Sequence, residues 1–161
     1  MQERGFTLVE LIIVVAIMAV LVSVGSLEYN KMEKKANVER EVVTIYTSLS
    51  DVRLQALYTK TPRTVTLIGS QLKIYSTDDT TLAPASTIAL SYPVVMSTGD
   101  NRVVFDGSGM MNEADRSICV ELPGAAESPG NTDSVVVSAA RVHMGKRESG
   151  GACVPDDINQ K

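Results

Sequence analysis

The stretch that decides the fold is "FTLVELIIVVAIMAVLVSV", residues 6–24. Its nineteen residues carry one charge, Glu10, with the small polar Thr7 and Ser23 near the ends. That length matches the roughly 20 apolar residues needed to cross a hydrocarbon core as a helix. The five residues before it, MQERG, make a short charged region; no Ala-x-Ala site comes after, and helix-compatible sequence continues past it. An ordinary secretory signal looks different, so the segment is expected to persist in the mature protein. An ionised carboxylate inside a membrane helix costs about 2.5–3.5 kcal/mol on insertion scales, which makes Glu10 a functional candidate in need of a partner. The plainer reading is that Glu10, close to the segment's start, snorkels to the interface.

Beyond Gly25 the composition turns to mixed charge (Glu28, Lys31, Glu33, Lys34, Lys35, Glu39, Arg40, Glu41), and no proline occurs before Pro62. Val38, Val42, Ile45, Leu49, Val52 and Ala56 recur in steps of three and four, one apolar stripe along a helix. A helix from about Phe6 to about Thr59 is on the order of 80 Å long, more than a compact domain is wide, so half of it is expected to project. Thr61-Pro62 ends it, because proline cannot continue a helix and disfavours helical geometry in the residue before.

From Arg63 onward the sequence alternates with period two. Arg63 to Ile68 and Gln71 to Ser76, joined by Gly69-Ser70, read as a hairpin. A polar loop over Thr77 to Ser86 leads to strands at Thr87 to Tyr92 and Arg102 to Phe105, and Asp106-Gly107-Ser108-Gly109 is a turn. Ser117 to Leu122 and Ser134 to Met144 complete about six strands, separated by a loop from Pro123 to Asp133. The tail from Gly145 has no period and is expected to be irregular, held by Cys153. The fold class is α+β, one long N-terminal helix whose stripe is covered by a β-rich C-terminal part.

The 161 residues, net charge −4, five Tyr, two Phe and no Trp argue against a surface built throughout for nucleic acid. One histidine and two cysteines cannot make the usual zinc sites, no catalytic or cofactor motif is present, and neither metal nor cofactor is expected. The acidic pairs Asp78-Asp79 and Asp156-Asp157 lack the spaced oxygen ligands of a calcium loop. Met110-Met111 reads as sheet packing. An even cysteine count in a chain directed out of the cytosol suggests one disulfide between Cys119 and Cys153, worth roughly 3–4 kcal/mol in the chain-entropy model; two free thiols in a cytosolic protein are the alternative.

Gly5 followed by Phe6, Thr7, Leu8, Val9, Glu10 and the apolar run resembles the type IV prepilin signature. The resemblance implies cleavage by a prepilin peptidase between Gly5 and Phe6, methylation of the new N-terminal amine, and assembly through Phe6 and Glu10. In that scheme a neighbouring subunit's N-terminal ammonium meets the Glu10 carboxylate. Further on, "DVRLQALYTKTPRTVTL" and "VVFDGSGMM" resemble the FimT/FimU/GspH group of minor pilins and pseudopilins, whose fold is a long helix packed on an antiparallel β-rich head. The implied organisation is a leader over 1–5, a membrane and filament-core half-helix over 6–25, and a periplasmic head over 26–161. The head divides into amphipathic helix 26–60, β-rich part 61–144 and disulfide-tethered tail 145–161.

The implied function is that of a minor pilin, anchored by a single pass in the inner membrane and drawn to the cell surface by helix bundling with other pilins. A bridge between Cys119 and Cys153 is similar to those of exported minor pilins. Two alternatives stay open: a GspH-like pseudopilin of type II secretion, and a DNA-binding competence pilin using Arg141, His143, Lys146 and Arg147. The DNA-binding subgroup carries Gly-Arg-x-Arg where this chain has Ala140-Arg141-Val142-His143. The chain also lacks the helix-kinking proline of major pilins between Ser23 and Lys31. A solvated strand edge guarded by cations is the plainer account of the basic residues.

Overall fold

The proline-free stretch folds as one α-helix, α1 (Leu8–Thr59), in a computed structural model that describes residues 7–125 and 127–160. The chain divides into two units, Met1–Lys34 and Lys35–Lys161. In the first, every large apolar side chain from Leu8 to Val22 is exposed, and the least exposed, Val14, is still at 43%. This part of α1 is long and apolar enough to cross a membrane.

In the second unit the apolar stripe is the seam of the fold. Val38, Val42, Ile45, Leu49 and Ala56 have no exposed surface, and Val52 only 1%. At roughly 1.5–3 kcal/mol for each large side chain, their burial is the main local stabilisation of this half of α1. Among the described residues, nine strands form two antiparallel sheets. The first holds β1 (Arg63–Ile68), β2 (Gln71–Tyr75), β3 (Ser86–Ala89) and β5 (Arg102–Phe105), in the order β3-β2-β1-β5. The second holds β4 (Val94–Met96), β6 (Arg116–Val120), β7 (Ser134–Ser138), β8 (Arg141–Arg147) and β9 (Ile158–Gln160), in the order β4-β6-β7-β8-β9. Val65, Leu67, Leu72, Val103 and Phe105 of the first sheet share one cluster with the stripe, and so do Ile118, Val120, Val135 and Val137 of the second.

Two polar clamps set the register between helix and sheets. Glu41, only 5% exposed, accepts the Ser91 N–H at 2.8 Å and the Tyr92 N–H at 3.0 Å. These are the residues where the chain leaves the first sheet for the second. At the end of α1, Lys60 turns out of the helix with φ 56°, a left-handed C-terminal cap in a non-glycine residue. The 106–109 turn packs there: a Cβ on Gly107 would lie 2.7 Å from the Lys60 carbonyl oxygen. The Arg53 Nε also donates to the Gly109 carbonyl at 2.9 Å. Asp106 Oδ1 accepts from the Ser108 hydroxyl at 2.5 Å, the Ser108 N–H at 2.8 Å and the Met110 N–H at 3.0 Å.

Three expectations from sequence are corrected. Thr87 to Tyr92 is not one strand: β3 ends at Ala89, because Glu41 draws the next N–H groups toward the helix and Pro93 comes after, beyond which the unforeseen β4 enters the other sheet. Ser134 to Met144 is a hairpin, β7 and β8 paired from Ser138↔Arg141 onward, with Ala139-Ala140 at the turn; that dipeptide carries none of the usual turn residues. The segment from Gly145 is irregular only over residues 148–154, since Gly145 to Arg147 belong to β8 and pair with β9. A Cβ at Gly145 would sit 2.3 Å from Ile158 Cγ2, so the bare glycine is what admits the last strand.

Two outcomes are expected for the folded head. Glu41→Gln presents an amide to two peptide N–H groups and leaves one unpaired, lowering stability in urea melts by about 1–3 kcal/mol. The hydrogen bonds from the Ser108 side chain, then from the Met110 N–H, hold Asp106 down to a pKa of about 2, below the usual 3.8. The unfolded chain therefore binds more protons in that interval, and stability from this carboxylate is full above pH 4 and is lost as pH falls toward 2. Asp106→Asn should flatten that part of the pH dependence of Tm relative to the wild type.

Candidate functional site

The first helical turn is built by Thr7-Leu8-Val9-Glu10. Thr7 Oγ1 accepts the Glu10 N–H at 3.2 Å, the side-chain cap of a T-x-x-E sequence. Glu10 thus lies in the first turn of α1, where the positive end of the helix dipole favours a carboxylate by about 0.3–1 kcal/mol. That is less than the roughly 2.5–3.5 kcal/mol an ionised carboxylate costs in a bilayer on insertion scales. The Glu10 side chain is exposed, and no cation pairs with it among the described residues. Gly5 and Phe6, the expected processing site, lie outside the described residues.

The second expected feature is present: Cys119 and Cys153 are joined, Sγ to Sγ, at 2.08 Å. Cys119 lies in the middle of the second sheet with its side chain on the face away from α1, as register and packing show. Val94, Met96, Ile118, Val120, Val135 and Val137 face the main core, whereas Cys119, Val136 and Ile158 form a separate cluster on the other face. The bond therefore clips the segment after β8 onto the outer face of the sheet.

The four basic residues near the C-terminus do not form one surface. Strand alternation puts Val142, Met144 and Lys146 on one face of β8 and Arg141, His143 and Arg147 on the other. Arg141 is exposed at the start of the strand and His143 half-buried. Lys146 Nζ donates to Asp133 Oδ2 at 2.9 Å and to the Ser128 carbonyl at 2.7 Å. Arg147 Nη1 donates to Glu121 Oε1 at 2.7 Å, and its N–H to Asp133 Oδ1 at 2.9 Å. Lys146 and Arg147 line a cleft of about 260 Å³ together with Glu121, Glu127, Asp133 and Glu148. Four carboxylates against two cations give this cleft a negative balance, which opposes a phosphate backbone.

Sequence reasoning missed two carboxylates that organise the head. Asp133 reads in the sequence as the end of a loop, yet it is 1% exposed and ties β7 to β8 through Lys146 and the Arg147 N–H; nothing in Asn131-Thr132-Asp133 marks it. Glu41 carried a signal, since it falls between Val38 and Val42 on the flank of the stripe, but the surrounding charge masked it. A third charged anchor, Arg116, is 6% exposed and held by Asp100, Glu113 and the Arg102 carbonyl. Its hydrogen bond keeps the Asp100 carboxyl below the usual range.

Comparison with known proteins agrees with the apolar N-terminal helix and with the helix-on-sheets head. Residues 1–26 match the prokaryotic N-terminal methylation motif. Two crystal structures of the type IV minor pilin FimU of Pseudomonas aeruginosa share the fold. One has a TM-score of 0.53 at 14% identity, over 66% of this chain and 90% of that one. The other has a TM-score of 0.52 at 15% identity, over 71% and 90%. No curated protein matches the sequence. The charge balance around Lys146 and Arg147 leads to an expected outcome for nucleic acid: in a band-shift assay at about 50 mM salt, where phosphate contacts are strongest, duplex DNA should run unretarded.

Proposed function

Because the chain is type IV pilin-like in its N-terminal motif and in its fold, we propose that it is a minor pilin of the FimU/FimT kind, a structural subunit that enters or primes a pilus filament. The observation that carries this reading is the coincidence in one chain of the methylation motif over residues 1–26 with the FimU-like arrangement of helix and sheets. In the proposed sequence of events, residues 6–25 hold the precursor in the inner membrane with the head on the periplasmic side. A prepilin peptidase cleaves after Gly5, and the amine of Phe6 is methylated but stays cationic. The subunit then joins its neighbours by bundling of apolar helices.

Glu10 gives the bundling its specificity. Its carboxylate has the helix dipole but no cation in its own described unit, and a bilayer or helix bundle removes the water that would otherwise solvate it. The ammonium at a neighbour's residue 6 neutralises both charges at one axial offset, so the ion pair selects a stagger as well as lowering the desolvation cost. The exposed apolar side chains from Leu8 to Val22 supply the lateral contact.

Mass spectrometry of the membrane-extracted protein tests the reading. The expected mass is that of residues 6–161 with one N-methyl group and two hydrogens fewer for the disulfide; retention of MQERG would overturn it. Glu10→Leu should still be cleaved, yet be depleted about tenfold or more from sheared filaments, corresponding to at least the roughly 1.4 kcal/mol of a tenfold change in equilibrium. Wild-type incorporation of that variant would sink the ion-pair argument and leave the processing argument standing.

A further inference from the structure

The Cys119–Cys153 bond joins the second sheet to a segment that takes no part in the main core. Among the described residues, the large cluster around the α1 stripe draws its buried side chains from Val38 through Val137, with Val142 and Met144 packed against it, and includes none from residues 148–160. The buried apolar side chain of that segment, Ile158, lies in the small outer cluster with Cys119 and Val136, and Cys153 packs against it. Residues 148–157 are also bonded among themselves. The Glu148 N–H donates to the Asp157 carbonyl at 2.9 Å, the Gly151 N–H to the Glu148 carbonyl at 2.9 Å and the Ala152 N–H to Asp157 Oδ2 at 2.9 Å.

Few links hold the segment to the sheet. They are the β8–β9 pairs Gly145↔Gln160, Lys146↔Asn159 and Arg147↔Ile158, the Ile158 side chain, the Ser117 hydroxyl donating to the Cys153 carbonyl at 3.0 Å, and the disulfide, with one further hydrogen bond from the Ser149 hydroxyl to the Glu127 carboxylate of the neighbouring loop. A strand of three residues falls short of the usual length of about five or six and is weakly held by its own ladder.

We infer that the disulfide is a redox-operated latch: cleaving it releases residues 148–160 as one unit while the α1 stripe and β1 to β8 stay folded. A dithiol performs the step. Its thiolate attacks Sγ of Cys153, the more accessible of the two sulfurs, forming a mixed disulfide as Cys119 leaves as thiolate and takes up a proton. The reagent's second thiol then displaces Cys153 as a thiol and closes the reagent's own disulfide, so two electrons and two protons pass to the protein. Release uncovers Val136 and the peptide groups on the outer edge of β8, converting a paired strand into one open to another chain. This inference stands independently of the pilin reading.

Hydrogen exchange read by mass spectrometry, on the full chain in detergent before and after dithiothreitol, tests it. Reduction should speed exchange about tenfold or more in peptides covering 141–147 and 148–160, and leave those covering 38–56 and 63–105 unchanged. Acceleration throughout the head would make the bond a global staple, and unchanged β8 protection would make it idle; either overturns the latch. In Ile158→Asp, the intact disulfide should keep exchange in 141–147 within a few-fold of wild type until dithiothreitol is added, and full loss of β8 protection in that variant while oxidised would equally overturn the latch.

Discussion

The head depends on one shared seam. The inner faces of both sheets are buried in a single hydrophobic cluster with the α1 stripe, Ile45 and Leu49 included. A helix can meet both because steps of three and four residues spread a stripe about 100° wide, broad enough to receive side chains from either side. The cost is a weak point where the chain crosses between sheets, and the polar clamps gather there and at the helix end. Glu41 holds Ser91 and Tyr92, and Arg53 and Lys60 receive the 106–109 turn.

How much of this could be read in advance depends on which forces leave a periodic trace. The helix, its stripe, its end at Pro62 and the β1–β2 hairpin were all legible, because burial on one face writes a period of about 3.6 or 2 and proline or glycine marks the breaks. Buried on both faces, β7 shows no alternation, and the turn at Ala139-Ala140 is set by pairing rather than by turn residues. The strand β9 exists because of a missing side chain at Gly145 and a covalent bond at Cys153, neither of which has a period. Glu10 was visible because a charge in an apolar run stands out. Asp133 was not, because its burial is created by strands remote in sequence.

Two glutamates on one helix show what separates an internal contact from an external one. Glu41 loses its water on folding and recovers two hydrogen bonds from Ser91 and Tyr92 of its own chain. Glu10 has a capped first turn and a favourable dipole but keeps an exposed carboxylate. A desolvated carboxylate must find donors somewhere. For Glu41 the question is answered within the fold, and for Glu10 it is passed to whatever surrounds the helix.

The disulfide also fixes how the head carries tension. It closes a loop from Cys119 to Cys153 that contains β7 and β8. A pull applied beyond β9 first loads its pairs with β8; once these have opened, the tension crosses the covalent bond, enters the sheet at Cys119 near the end of β6 and bypasses the enclosed hairpin. The strand that yields is β9, outside the closed loop, whose three pairs open in succession like a zipper. The head thus has a sacrificial strand at its margin and a shielded hairpin behind it, a load path set by where one bond lands.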